Sequence, residues 1–337
     1  MPGKFQNLTT EPPIVALATG DPGGIGPELC LKAAQSTALT DICRPVLFGD
    51  PVVLNLQANA CGMPINFDIA VTSDQFDWNQ PGVKLCARDQ FTKAPYELGA
   101  VNAANGHAAL DSASTAIKTV LDGKAAAVVA APQNQKSIAL TGVDFDGYPS
   151  FVARETGLAP EDVFLMLCFD KIKIAHCTLH ASVRKSLDFI TFDRVQAVIQ
   201  AVHDTLIHIG DGAPKILVGG LNPHAGEDGL FGNEDRDIVA PAIEAARGAG
   251  INVEGPVGAD VMLSRTDVDA FVVMLHDQGH IPAKLLAPRR TAGLSIGSPI
   301  LFSSVAHGSG HDIAGQNKGD PTAIIEAVRR LTGNSQA

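Results

Sequence analysis

Three histidines stand where apolar runs break off. His180 closes the run from Ile172 to Leu179, His224 follows Ile216 to Leu221 through Asn222 and Pro223, and His276 follows Ala270 to Leu275. Short apolar runs bounded by turn residues predict buried strands, and parallel strands of one sheet share an edge at their C-terminal ends. Three imidazoles on one edge would be nitrogen donors for a divalent cation, with positions left open for water or substrate. The alternative is three unrelated polar residues at strand ends. His107, His176, His203, His208 and His280 have no comparable setting. His280 lies four residues past His276, but Gly279 and Pro282 argue against one helix presenting both.

Two polar, glycine-rich stretches could also carry chemistry. Gly20 to Glu28 follows a predicted strand, Ile14 to Ala18, and opens onto a helical spacing from Leu29 to Ala34. It has neither a G-K-[ST] nor a G-x-G-x-x-G, so neither nucleotide fingerprint applies, but such a turn is expected to leave backbone N–H groups for an anion. His307 to Pro321 is a polar loop before the last helical segment. On its residues alone it is equally a plain surface loop.

The elements that must position these groups alternate. Apolar strand runs follow from Pro45, Ala125, Val163, Ile172, Ile216 and Ala270. Helical patterns cover 107–122, stopping at Gly123, then 195–209 and about 238–247. That order predicts a two-lobed α/β/α protein with a mostly parallel sheet. The lobes are expected at 1–135 with 290–337, and at 136–289. With 25 basic against 36 acidic residues, the net charge of −11 argues against nucleic-acid binding or a polybasic membrane surface. The six cysteines form no C-x-x-C pair and several lie in apolar runs, predicting buried free thiols. No apolar run approaches the roughly 18 residues of a membrane span and residues 1–11 have no secretory core, so a cytoplasmic setting is expected.

The loop His307-Gly308-Ser309-Gly310-His311-Asp312-Ile313-Ala314-Gly315 resembles the adenosine-binding loop of the isocitrate and isopropylmalate dehydrogenases, H-G-[ST]-A-P-D-I-A-G. Together with Gly20–Glu28, Leu221–Glu227 and His276–Gly279, it resembles the narrower 4-hydroxythreonine-4-phosphate dehydrogenase family over about Ile14 to Leu331. The resemblance implies an isocitrate/isopropylmalate dehydrogenase-like fold and a homodimer with a shared active site. It implies NAD and a divalent metal held by His180, His224 and His276: zinc first, with cobalt, manganese, nickel or magnesium as alternatives. Lys284 and Asp260 match the family positions for proton transfer and carboxylate binding. His307, Gly308, Ser309, Asp312 and Asp320 would face the cofactor, Asp312 selecting NAD by repelling a 2′-phosphate. Asp21, Asn134, Tyr148, Ser150, Gly293 and Phe302 would face the substrate. The implied reaction is oxidation of a hydroxyl β to a carboxylate, followed by loss of CO2.

The phosphate-binding positions depart from the family. Gly147-Tyr148-Pro149-Ser150, Gly293 and Phe302 stand where a Gly-His-Thr-Glu segment, an Asn and an Arg are expected, and Gln135 replaces a lysine. A phosphate dianion needs cationic or N–H donors, and a phenyl ring offers neither. The Gly147–Ser150, Val163–Leu167, Thr178–His180 and Met274–Pro282 blocks are similar to the family's terephthalate cis-dihydrodiol branch, whose product is protocatechuate. Arg184, Arg289 or Arg290 would hold a second carboxylate. The alternatives are 4-hydroxythreonine-4-phosphate or a four-carbon sugar acid phosphate as substrate. From other classes come a phosphate acyltransferase and a non-catalytic metal-binding protein.

Overall fold

The computed structural model describes residues 11–63, 65–92, 95–287 and 290–333. The strands, in chain order, are β1 (Ile14–Ala18), β2 (Arg44–Gly49), β3 (Phe67–Ala70), β4 (Val83–Ala87), β5 (Ala127–Ala130), β6 (Phe164–Phe169), β7 (Ile172–His176), β8 (Ile216–Gly219), β9 (Val253–Val257), β10 (Ala270–Val273), β11 (Ala292–Ile296) and β12 (Leu301–Val305). The chain forms two compact units. The first runs to Gly157 and resumes at Pro299, and the second spans Leu158–Ser298.

The first unit carries strands in the order β3-β4-β2-β1-β5-β12, every pair parallel. β1 and β5 are buried on both faces, as their unbroken Val, Leu and Ala runs require. The helix Ala103–Leu121 begins where the Asn102 side chain accepts the Asn105 N–H at 2.9 Å. It ends at Gly123, whose φ of 72° suits glycine at a helix C-terminus.

The second unit orders its strands β11-β6-β7-β10-β8-β9, antiparallel across β11-β6-β7 and parallel from β7 onward. Its helix Phe192–His208 buries Val195, Val198, Ile199, Val202 and Leu206 in one stripe. Each of those side chains contributes roughly 1.5–3 kcal/mol of apolar burial. Because β7, β10 and β8 are parallel, their C-terminal ends share an edge.

The unit boundaries differ from those expected at 135/136 and 289/290. The helix Tyr148–Glu155 packs on Ala103–Leu121, and the Tyr148 ring lies 4.9 Å from that of Phe302, so 136–157 stays with the first unit. At the other end β11 pairs with β6, which holds 292–296 in the second. The six cysteines are buried free thiols. Among the described residues no helix is long and apolar enough to cross a membrane.

Candidate active site

β10 gives way directly to the helix His276–Leu286. The Gln278 side chain holds that junction. Its Oε1 accepts the N–H groups of Met274 and Leu275 at 2.9 Å each, and its Nε2 donates to Gly220 O at 3.0 Å, at the end of β8. His276 and His280 are therefore one helical turn apart on one face, their rings stacked at 3.7 Å with 9° between planes. This corrects the expectation that Gly279 and Pro282 argue against one helix presenting both. Gly279 is packed so tightly on His176 that a Cβ there would lie 2.3 Å from His176 Nε2. Pro282 removes one helical hydrogen bond, but the helix continues through it to Leu286.

The His276 ring also lies 5.9 Å from that of His180. β7 ends at His176 rather than at His180, and Thr178 Oγ1, donating to Met274 O at 2.7 Å, ties the intervening loop to the end of β10. Lys284 falls one turn beyond His280, near enough for its charge to contribute to lowering the His280 pKa. Burial is the main cause of that shift, to about 4, followed by the charge of His276. His176, buried behind His280 at 4.7 Å, is pushed down to about 3, mostly by burial. Both are neutral imidazoles at physiological pH.

His224 sits on its own turn. Buried Asp235 accepts the N–H groups of Leu221 and Asn222 at 2.7 and 2.9 Å, which fixes the base of that turn. Residues 224–228 then all take positive φ, 44° to 84°, although four of the five carry side chains. Each such residue costs roughly 1–2 kcal/mol, the kind of strain that clusters at functional sites. The turn borders a cavity of ≈ 410 Å³ lined in part by His224, Glu227, Asp228, Asp235 and Arg236. Asp260 is exposed, and a Cβ at neighbouring Gly258 would lie 2.7 Å from Asp260 Oδ1 and 3.7 Å from His224 Cα. Among the described residues, no group of three His, Cys, Asp or Glu side chains is arranged to hold a metal. One chain thus brings His180 and His276 together, and His224 stands apart from that pair.

The donors fit a divalent cation. His276 Nδ1 is 2.7 Å from Asp277 Oδ1 and His224 Nδ1 is 3.2 Å from Glu227 Oε2. A carboxylate on Nδ1 sets the tautomer and leaves the Nε2 lone pair for a metal.

The remaining candidates are distributed as follows. Gly293 is buried in mid-strand opposite Leu167. Arg290 pairs with Asp170 at 2.5 Å, Arg184 is exposed on the helix Val183–Phe189, and Arg289 lies outside the described residues. In the first unit Phe302 is 1% exposed, so the expectation that it lines an open substrate wall is corrected: it is core, packed beneath Tyr148. Half-buried Tyr148 donates its hydroxyl to Ala131 O at 3.0 Å. Ser150 Oγ donates to Gly147 O at 3.1 Å and to Asp146. His307 is half-buried, while Gly308 and Asp312 are exposed on their loop. Asp320 Oδ1 accepts from Thr322 N at 3.0 Å and Oγ1 at 2.6 Å at the start of the last helix. Asp21 is fully buried, and Asn134 and Ser309 lie in contact at 3.5 Å.

The glycine-rich turn is not an anion cradle. Gly23 N–H donates to Asp21 Oδ1 at 2.8 Å, Gly24 N–H to Asp21 O at 3.1 Å and Ile25 N–H to Ser309 O at 2.8 Å. A buried carboxylate occupies the place where an anion would sit.

The class defined by this architecture is a two-unit α/β protein with an imidazole-bearing strand edge in one unit and a polar glycine-rich loop in the other. The chain belongs to the family of the pyridoxal phosphate biosynthetic protein PdxA, whose model matches residues 41–331. It is 38% identical over 317 residues to the 1,2-dihydroxy-3,5-cyclohexadiene-1,4-dicarboxylate dehydrogenase of Comamonas sp, covering 94% of this chain and 96% of the relative. A terephthalate 1,2-cis-dihydrodiol dehydrogenase from Burkholderia xenovorans superposes with a TM-score of 0.72 at 39% identity, covering 96% and 98%. A 4-hydroxythreonine-4-phosphate dehydrogenase from Klebsiella pneumoniae superposes with a TM-score of 0.85 at 30% identity, covering 96% and 100%. With dehydrogenases as its relatives, the chain is an oxidoreductase of that kind.

Proposed function

We propose that the protein is an NAD- and divalent-metal-dependent decarboxylating dehydrogenase acting on an unphosphorylated ring cis-dihydrodiol dicarboxylate, with protocatechuate, CO2 and NADH as products. The observation that carries the substrate choice is the Tyr148–Phe302 pair. Phe302 is core, its ring 4.9 Å from that of Tyr148 and tilted by 49°, and the Tyr148 hydroxyl is committed to Ala131 O, so the positions expected to hold a phosphate offer it no cation. The 38% identity to a dehydrogenase named for such a diol supports the same choice.

His180, His224 and His276 would hold the metal, with zinc first, and Asp277 and Glu227 orient two of the three rings. When bound, the cation would supply Lewis-acid stabilisation of negative charge on the substrate oxygen, and NAD⁺ would supply the hydride acceptor. Lys284, on the same helix face as His276 and His280, and Asp260, near the His224 turn, would be the groups for proton transfer and carboxylate binding. Oxidation gives a β-keto acid. Breaking its bond to the carboxylate leaves the electron pair in the ring, which becomes aromatic as CO2 departs.

A second copy of this chain would bring its own histidines to the site. Ile281 and Leu285, 55% and 76% exposed one turn apart on the His276 helix, support a homodimer.

Kinetics of NADH formation test the substrate. Turnover is expected with the ring diol and not with 4-hydroxythreonine-4-phosphate, and the reverse pattern would sink the reading. Asp312 should favour NAD⁺ over NADP⁺ by on the order of 100-fold in kcat/KM, since a carboxylate repels the 2′-phosphate. Asp312→Asn should narrow that preference by about tenfold, and an unchanged ratio would remove Asp312 from cofactor choice.

A further inference from the structure

The loop carrying His307, Ser309 and Asp312 is tied down by two buried carboxylates that follow β1. At its far end Glu28, fully buried, accepts the Gly319 N–H at 2.7 Å, and Lys32 bridges Glu28 Oε1 and Gly319 O at 2.7 Å each. At its near end Ser309 O accepts the Ile25 N–H, and the backbones approach so closely that a Cβ on Gly24 would lie 2.2 Å from Ser309 O.

Between these ties stands His311. Its Nε2 is 3.4 Å from Asp21 Oδ1, and its Nδ1 is 3.1 Å from Ser309 Oγ and 3.5 Å from Asn134 Nδ2. Asp21 is 0% exposed, and among the described residues neither its Oδ2 nor His311 Nε2 has a hydrogen-bond partner, so the ring and the carboxylate face each other at 3.4 Å as a close polar contact. Burial raises the Asp21 pKa, with Ser137 and His311 pulling it back. Oδ1 accepts the Gly23 N–H and Oδ2 is unpartnered, so this buried carboxylate is incompletely supplied with donors, and a basic ring standing against it offsets part of the cost of burial. The loop pattern H-G-[ST]-A-P-D-I-A-G has proline at this place, and proline could not make the contact.

We propose that His311 and Asp21 form a latch that holds loop 307–315 in its ligand-ready shape, so that the pair sets affinity for the dinucleotide without touching the reacting atoms. The proposal rests on the reading of this loop as the dinucleotide site. His311 is a positioning residue: it acts through Ser309, Asn134 and the loop backbone. A loop held in shape before binding loses less freedom when the ligand arrives, which appears as affinity.

The test uses the full chain, with deuterium uptake of the peptide spanning 307–316 and calorimetric titration with NAD⁺. His311→Ala is expected to raise uptake in that peptide but not in β1 or β5. It should weaken NAD⁺ binding by about tenfold and leave kcat at saturating NAD⁺ within about twofold. His311→Gln, which keeps a donor toward Asp21, should recover most of the affinity. Should His311→Ala raise uptake throughout the chain, His311→Gln and Asp21→Asn carry the test, the second opening the loop and the first much less. Unchanged uptake in the loop of His311→Ala overturns the latch, whether or not NAD⁺ binds. Raised uptake with unchanged NAD⁺ affinity overturns its role in binding. A wild-type chain that binds no NAD⁺ overturns the functional reading instead, and the exchange data alone then decide the latch.

Discussion

Replacing His276 by alanine is expected to lower kcat by on the order of 10³-fold, about 4 kcal/mol of transition-state stabilisation, and to lower the bound metal content with it. His276 is where three devices meet. Asp277 engages its Nδ1, His280 stacks on its face, and His180 lies 5.9 Å away ring to ring. Removing the ring takes away a donor and leaves Asp277 without its imidazole partner. Metal analysis of the purified variant separates this from simple misfolding: the urea midpoint should stay close to wild type, because His276 is partly exposed and its helix is anchored by Gln278 and Gly279. Full activity with full metal content would remove His276 from the metal site.

The second large effect is on acid stability, and it comes from a residue outside the proposed chemistry. His176 is buried beside His280, with Nδ1 bonded to Leu165 O at 3.2 Å and its pKa held down at about 3. An unfolded chain gives the same imidazole its ordinary value, near 6.5. Above pH 6.5 neither state binds the proton, and the full stability is present. As pH falls below 6.5 the unfolded state takes up a proton that the folded state refuses, so stability declines until the folded value is reached. The loss is roughly 5 kcal/mol in all, of which roughly 2–3 kcal/mol should be gone by pH 4.5. His280 adds to the loss in the same direction, being lowered to about 4 by burial first and His276 second. Urea unfolding at pH 7 and pH 4.5 checks this in wild type and His176→Phe. The phenylalanine variant should lose less between the two pH values, and parallel losses would show that His176 titrates normally. Gly279→Ala provides a steric control: its Cβ would fall 2.3 Å from His176 Nε2 and 2.9 Å from Ile174 Cγ2, costing about 1–3 kcal/mol at any pH.

Much of the scaffold was legible residue by residue. Ile14–Ala18 forms β1 as its unbroken apolar run predicts, and the stripe from Val195 to Leu206 lies on one buried helix face. The places that resisted reading share one feature: a local rule was outweighed by a contact from far along the chain. Gly279 and Pro282 weaken an isolated helix, yet His176, about a hundred residues earlier in the chain, packs where a Cβ would have been. The spacing of His276 and His280 was visible, and helical i,i+4 geometry would have paired them. The turn after β1 looked ready for an anion because its neighbours in sequence leave its N–H groups open. Ser309 and the turn's own Asp21 take them up.

The sequence by itself determined the alternation of strands and helices, the candidate histidines and the family, because apolar periodicity and short motifs are local properties that survive without a fold. The tertiary structure alone decided which of those residues meet. It stacked His280 on His276, left His224 on a separate strained turn, buried Phe302 under Tyr148 and set His311 against Asp21. Those outcomes depend on strand order and on close packing between distant segments, where a glycine's missing Cβ or one buried carboxylate settles the geometry.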